Sequence, residues 1–150
     1  MNEYYPLIIA AVAGSLMAWQ GGLNSLLQRE VSLMPATLIV HIIGTITAGI
    51  IVLFQVFKQT ETLNWVRLTS APWHSYLGGI IGVAIIGAVA FSIAESGAAP
   101  ATTAIIVSQI ITATFIDHLG LFRLEEVSFS VQHLIGILLL AVGTWFLLQN

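Results

Sequence analysis

The sequence predicts an all-α integral membrane protein of five transmembrane helices, and two observations carry that prediction. The first is composition: 57% of the 150 residues are hydrophobic and 7% are charged, against roughly 25% charged residues in an average soluble domain. The second is where the charges fall. Asp, Glu, Lys and Arg occupy only positions 3, 29, 30, 58, 61, 67, 95, 117, 123, 125 and 126, which leaves long uncharged gaps of 25, 27, 27, 21 and 24 residues. A helix needs about 20 apolar residues to cross about 30 Å of hydrocarbon, so each gap holds one crossing and none holds two. The helices are expected near 6–28, 36–57, 75–94, 100–119 and 131–148, which makes residues 1–150 a single transmembrane domain.

Pro6 suits the first turn of the first helix, whose small residues Ala10, Gly14, Ala18 and Gly22 recur at every fourth position and let another backbone approach closely. Gln20 and Asn24 lie one turn apart on a neighbouring face, so their amides can point to the same place. The second helix follows Pro35 and carries His41, Thr45 and Gly49 on one face. In the third, Gly78 and Gly82 have the small-xxx-small spacing of a tight crossing. Glu95 closes it, and the short link to Pro100 predicts a helical hairpin with the fourth.

The fourth helix is the most polar. Thr102, Thr103, Ser108, Gln109, Thr112 and Thr114 sit among isoleucines and alanines, and the run ends in Asp117 and His118. Polar groups lose their water in hydrocarbon, so this segment is expected to face other helices or a cavity. The fifth helix, with Gly136 and Gly143, is the least polar and the expected peripheral or dimer-forming element.

Several functions are excluded. With no cysteine the chain has no disulfide or thiol chemistry, and its net charge of −3 offers no basic surface to nucleic acid. Zinc-site spacing, a recognisable nucleophile–base pair and a phosphate-cradling loop are all missing from the sequence, so no metal, cofactor or enzymatic activity is expected. No Lys or Arg precedes the first helix, which argues against a cleaved signal peptide. Lys58, Arg67 and Arg123 on one side against Arg29 on the other favour a cytoplasmic N-terminus by a narrow margin that also permits both orientations.

The whole chain resembles the five-helix YdcZ-like branch of the drug/metabolite transporter (DMT) superfamily, whose larger members look like two inverted five-helix halves fused. The residues carrying the resemblance are Gln20-Gly-Gly-Leu-Asn24, Gly44-Thr45, Leu77-Gly78-Gly79-Ile-Ile-Gly82, Ser108-Gln109, Ile116-Asp117-His118-Leu-Gly120, and Gly136 with Gly143. It implies a half-transporter of the DMT type in the inner (cytoplasmic) membrane, handling a small molecule. Such a half is expected to pair with an inverted second copy, as a homodimer or with a separately encoded homologue.

Gln20, Asn24, Gln109, Thr112 and His41 are the candidate cavity residues, because amides, a hydroxyl and an imidazole can satisfy a polar solute by hydrogen bonding. The alternative for the amides is an interhelical clamp, worth about 0.6 kcal/mol on average. Glu95, Asp117 and His118 are candidate proton or gating groups, or else interfacial helix ends. Asp117 and His118 stand about 100° apart on a helix and cannot jointly ligate one ion within it. Gly14, Gly22, Gly78 and Gly82 are the candidate packing glycines. The first helix has no acid between Pro6 and Gln28, unlike related small multidrug transporters, so a polar neutral or zwitterionic substrate is expected rather than a quaternary ammonium. The expected function is a secondary transporter or exporter; the alternative is a passive channel or a non-transporting accessory subunit.

Overall fold

A computed structural model describes residues 4–58 and 69–147, excepting the side chains of Arg123 and Leu147. Glu3, Glu61 and Arg67, which enter the charge spacing and the orientation argument, lie outside the described residues, as does position 148 at the end of the expected fifth helix. The described residues form helices α1 (Tyr4–Val31), α2 (Leu33–Phe57), α3 (Leu77–Ser96), α4 (Ala98–His118) and α5 (Val131–Leu147). One 3₁₀ turn (Trp73–Tyr76) leads into α3 and another (Leu121–Arg123) follows α4. The stretches Tyr4–Val31, Leu33–Phe57, Trp73–Ser96 and Ala98–His118 are each long and apolar enough to cross a membrane, and α5 is a shorter apolar helix. Large apolar side chains point outward throughout, Trp19 74% and Phe57 84% exposed. In water that surface would drive aggregation; against lipid it is the ordinary exterior.

The connections are tighter than the sequence suggests. A loop of several residues is expected between the first two helices, yet Ser32 alone separates α1 from α2, and Gly97 alone separates α3 from α4. Both residues adopt the same unusual backbone, φ 68° and ψ 168° at Ser32, φ 87° and ψ 163° at Gly97. After each, proline occupies the third helical position, where its missing N–H would have no helical partner anyway. The first helical hydrogen bond therefore falls to the next residue, Ala36 N–H to Ser32 C=O at 3.1 Å and Ala101 N–H to Gly97 C=O at 3.3 Å. The sequence repeats with the geometry: Glu30-Val-Ser-Leu-Met-Pro-Ala-Thr37 matches Glu95-Ser-Gly-Ala-Ala-Pro-Ala-Thr102. One corner device is used twice.

The chain divides into two compact units, Met1–Ala94 and Glu95–Asn150. In the first, burial is concentrated where α1, α2 and α3 meet and falls on small or polar residues: Gly21, Asn24 and Ser25; Ala36 and Thr37; Gly87, Ala90 and Ile93. A Cβ at Gly21 would lie 2.6 Å from Ile93 Cδ1 and 3.1 Å from Val89 Cγ1, so α3 seats its branched side chains where α1 has none. A Cβ at Gly87 would lie 3.5 Å from Thr37 Oγ1, and one at Gly82 3.9 Å from His41 Nε2. The rising numbers on α2 against falling numbers on α3 make that crossing antiparallel. Among the expected packing glycines, Gly82 faces α2, whereas Gly14, Gly22 and Gly78 meet nothing within 4 Å among the described residues. In this unit the glycine most tightly overlaid by a neighbouring helix's side chains is Gly21 instead.

In the second unit, α4 packs on α5, and the segment between them folds back on the end of α4. Gly120 and Val127 both donate their N–H to Asp117 C=O, at 3.2 and 3.0 Å. Gly120 has φ +57°, and a Cβ there would lie 2.7 Å from Glu126 Cγ, so both the turn and the return of the chain exclude a side chain.

Two outcomes follow for purified protein in detergent. Ser32→Gly removes a strained backbone and raises unfolding stability by about 1 kcal/mol, whereas Gly97→Ala lowers it by about 1–3 kcal/mol; equal behaviour of the two in a denaturation series would contradict the shared corner. Gly21→Leu, which drives a side chain into Ile93, costs about 1–3 kcal/mol, while Gly14→Leu is neutral by the same measurement.

Candidate functional site

The buried face of α1 is built by helical spacing. Gly21, Asn24, Ser25 and Gln28 recur at intervals of three and four, which aligns them toward one side of the helix. Asn24 is 7% and Ser25 5% exposed, and neither makes a side-chain hydrogen bond among the described residues. One turn beyond Asn24, Gln28 buries its amide oxygen with no protein partner. At the end of the same helix Arg29 donates to Ala94 C=O at 3.3 Å. That bond caps a carbonyl in the last turn of α3, where the chain offers no further helical donor and the helix dipole favours a cation.

The neighbouring polar groups are already committed. Thr37 donates its hydroxyl to Leu33 C=O at 2.9 Å, and His41 Nδ1 lies 2.8 Å from Thr37 C=O. Because a carbonyl only accepts, Nδ1 carries the proton in the neutral ring, and the Nε2 lone pair faces α3 at Gly82. An apolar groove of about 530 Å³ runs beside this junction, lined among others by Leu33, Met34, Val83, Gly87 and Phe91.

The structure separates the two amides that the sequence places together. Asn24 is buried, but Gln20 is exposed, since residues 4–20 of α1 are exposed throughout and burial begins only at Gly21. Gln109 is exposed on α4 in the second unit, and Glu95 is exposed and forms no ion pair among the described residues. Thr112 and His118 line a groove of about 440 Å³ with Ile111, Phe115, Phe129 and Ile137.

At the mouth of that groove the sequence hides an aromatic cluster. His118 and Phe129 meet edge to face at 6.5 Å, and Phe129 and His133 stand 5.9 Å apart. His118 Nδ1 accepts the Phe129 N–H at 3.3 Å and His133 Nδ1 accepts the Ser130 N–H at 3.1 Å, so in the neutral rings both protons sit on Nε2. Asp117 contributes its carbonyl to the turn, and its side chain is half-buried without a hydrogen bond among the described residues. His133, which stands near an interface with no motif around it, carries no signal in the sequence; its partner Phe129 lies far from His118 along the chain.

Three of the hydroxyls on α4 are satisfied within the helix itself. Thr103 donates to Ala99 C=O at 2.7 Å, Ser108 to Ile105 C=O at 2.9 Å and Thr114 to Ile110 C=O at 2.8 Å. These hydroxyls satisfy themselves on their own helix and need no neighbour. The amides have no such recourse, because Asn24, Gln28 and Gln109 make no side-chain bond to the backbone of their own helices among the described residues.

Residues 5–146 match the family described as "Putative inner membrane exporter, YdcZ". The chain belongs to this family. The match takes in residues of both compact units, and with the membrane-length helices it makes this YdcZ-family protein a multi-pass protein of the inner membrane in a family of exporters. No curated protein and no solved structure matches the chain.

Self-satisfied hydroxyls are dispensable. Thr103→Val and Thr114→Val leave the unfolding midpoint within about 0.5 kcal/mol of the wild type; a loss of 1 kcal/mol or more in either would mean that the hydroxyl bridges to another helix.

Proposed function

We propose that this chain is one half of an exporter, paired with an inverted second copy, and that a net-neutral polar or zwitterionic solute passes through a cavity lined by amide side chains. The observation that carries the reading is the state of Gln20 and Gln109. Both lie within membrane-length helices, both are exposed, and neither has a hydrogen-bond partner among the described residues. An unsatisfied amide facing hydrocarbon costs several kcal/mol, so those faces are covered by protein or by a water-filled cavity in the working assembly. Transporter sites form at the interface of inverted repeats, and the five described helices correspond to one such repeat.

Asn24 and His41 in the first unit and Thr112 in the second are further polar groups able to hydrogen-bond such a solute. Gly14, Gly22 and Gly78, open on their helices, suit the close approach of a second backbone. Glu95, Asp117 and His118 stand at helix ends, where they can exchange protons with the interface. No acid lies in α1 between Pro6 and Gln28, which leaves a buried quaternary ammonium without its counter-charge and disfavours it by several kcal/mol.

Proteoliposomes loaded with a metabolite panel test the proposal. Gradient-driven, saturable flux is expected, abolished by Gln109→Leu and largely intact in Glu95→Gln; flux that runs only downhill indicates a channel, and quaternary ammonium transport lost in Glu95→Gln overturns the choice of residues. Reporter fusions at Asn150 that show one orientation only, with parallel cross-links in purified homodimers, would exclude the homodimeric arrangement and leave pairing with a homologue.

A further inference from the structure

The seam where α1 meets its neighbours holds more polar potential than packing requires. Asn24 and Ser25 are 7% and 5% exposed as residues, and among the described residues the amide oxygen of Gln28 is the buried side-chain atom left without a hydrogen-bond partner. Buried polar atoms are nearly always hydrogen-bonded, and each exception in a native fold asks for an explanation. Helix clamping does not supply one here. A clamp needs a partner across the interface, whereas Thr37, His41 Nδ1 and Arg29 direct their hydrogens to Leu33, Thr37 and Ala94 carbonyls. The buried residues of α3, Gly87, Ala90 and Ile93, carry no polar side chain.

We infer that Asn24 and Gln28 form a solute-binding pair, with the Gln28 amide oxygen accepting a hydrogen bond from an N–H or O–H of a net-neutral solute and Asn24 adding a second donor and acceptor one turn away. The inference rests on the transport reading and refines it, moving the polar site along α1 from Gln20–Asn24 to Asn24–Gln28. Chemistry sets the class. Two primary amides offer both donors and acceptors but no charge, and the charged side chain that reaches the junction, Arg29, is a cation engaged with α3. A solute that presents a donor completes the Gln28 oxygen; its fully methylated analogue leaves that oxygen orphaned.

The test joins a stability comparison that needs no solute to a flux comparison that does. If Gln28 is held unsatisfied for a ligand, Gln28→Met, close in volume and without a polar atom, raises the thermal midpoint in nanodiscs by about 2–4 °C. A lower midpoint overturns the inference, because it shows that the oxygen is already bonded to a resident water or lipid. Asn24→Leu provides the second variant, read in the flux comparison, where it is expected to narrow the preference for a donor-bearing solute as Gln28→Met does. In proteoliposomes, labelled glycine and glycine betaine share a zwitterionic charge but only glycine has N–H donors. The wild type is expected to favour glycine by about tenfold or more, and Gln28→Met to bring the two within about threefold. Equal transport of both by the wild type overturns the inference. Absence of flux for either probe counts against the transport reading, and the stability comparison then decides the binding pair on its own.

Discussion

The one-residue helix corner is the constraint on which the rest of this structure depends. With only Ser32 between α1 and α2, no slack remains to adjust where the helices meet, and burial gathers immediately beside the corner at Ala36 and Thr37. Small side chains are required there because the backbones converge before any loop can spread them. The second corner at Gly97 repeats the arrangement, with Ala101 buried at the matching position. Glycine accommodates that backbone freely, whereas Ser32 holds it at a cost of about 1–3 kcal/mol. The recurrence of a glutamate, a corner residue, a proline and an Ala-Thr pair shows that the device is encoded locally, in eight residues, and does not depend on which unit contains it.

Lipid as the solvent then sorts the polar residues into two kinds. Hydroxyls on Thr37, Thr47, Thr103, Thr114 and Thr144 each return to the carbonyl four residues back. Their chemistry is spent inside the helix, and they leave the outer surface effectively apolar. An amide has two donors and an acceptor group, more than one carbonyl can satisfy, so Gln20, Asn24, Gln28 and Gln109 remain polar toward whatever lies beside them. The amides, rather than these threonines, therefore keep hydrogen-bonding capacity for a neighbour.

The two compact units contribute different surfaces. The first offers amides at a junction of small residues, with a histidine whose free lone pair faces α3. The second offers an apolar groove whose lining includes His118 and Phe129, with His133 packed against Phe129. The family match, over residues 5–146, takes in residues of both.

By itself the sequence determined the fold class, the number of membrane crossings and the family. Charge spacing against a fixed hydrocarbon thickness leaves one solution, and the glycine and amide motifs in order identify the relatives. It also contains the eight-residue corner repeat and the four-residue spacing that carries Gln20 and Asn24 on to Gln28. What only the tertiary structure decided is which of those groups is covered. Periodicity puts Gln20, Asn24 and Gln28 along one side of α1, but burial begins at Gly21, where Ile93 and Val89 of α3 arrive. Likewise the pairing of Phe129 with His118 and His133 depends on a chain return pinned by backbone bonds to Asp117, which no side-chain pattern records. Spacing along a helix fixes direction; the depth of a residue is set by where the neighbouring helix crosses, and that is a property of packing.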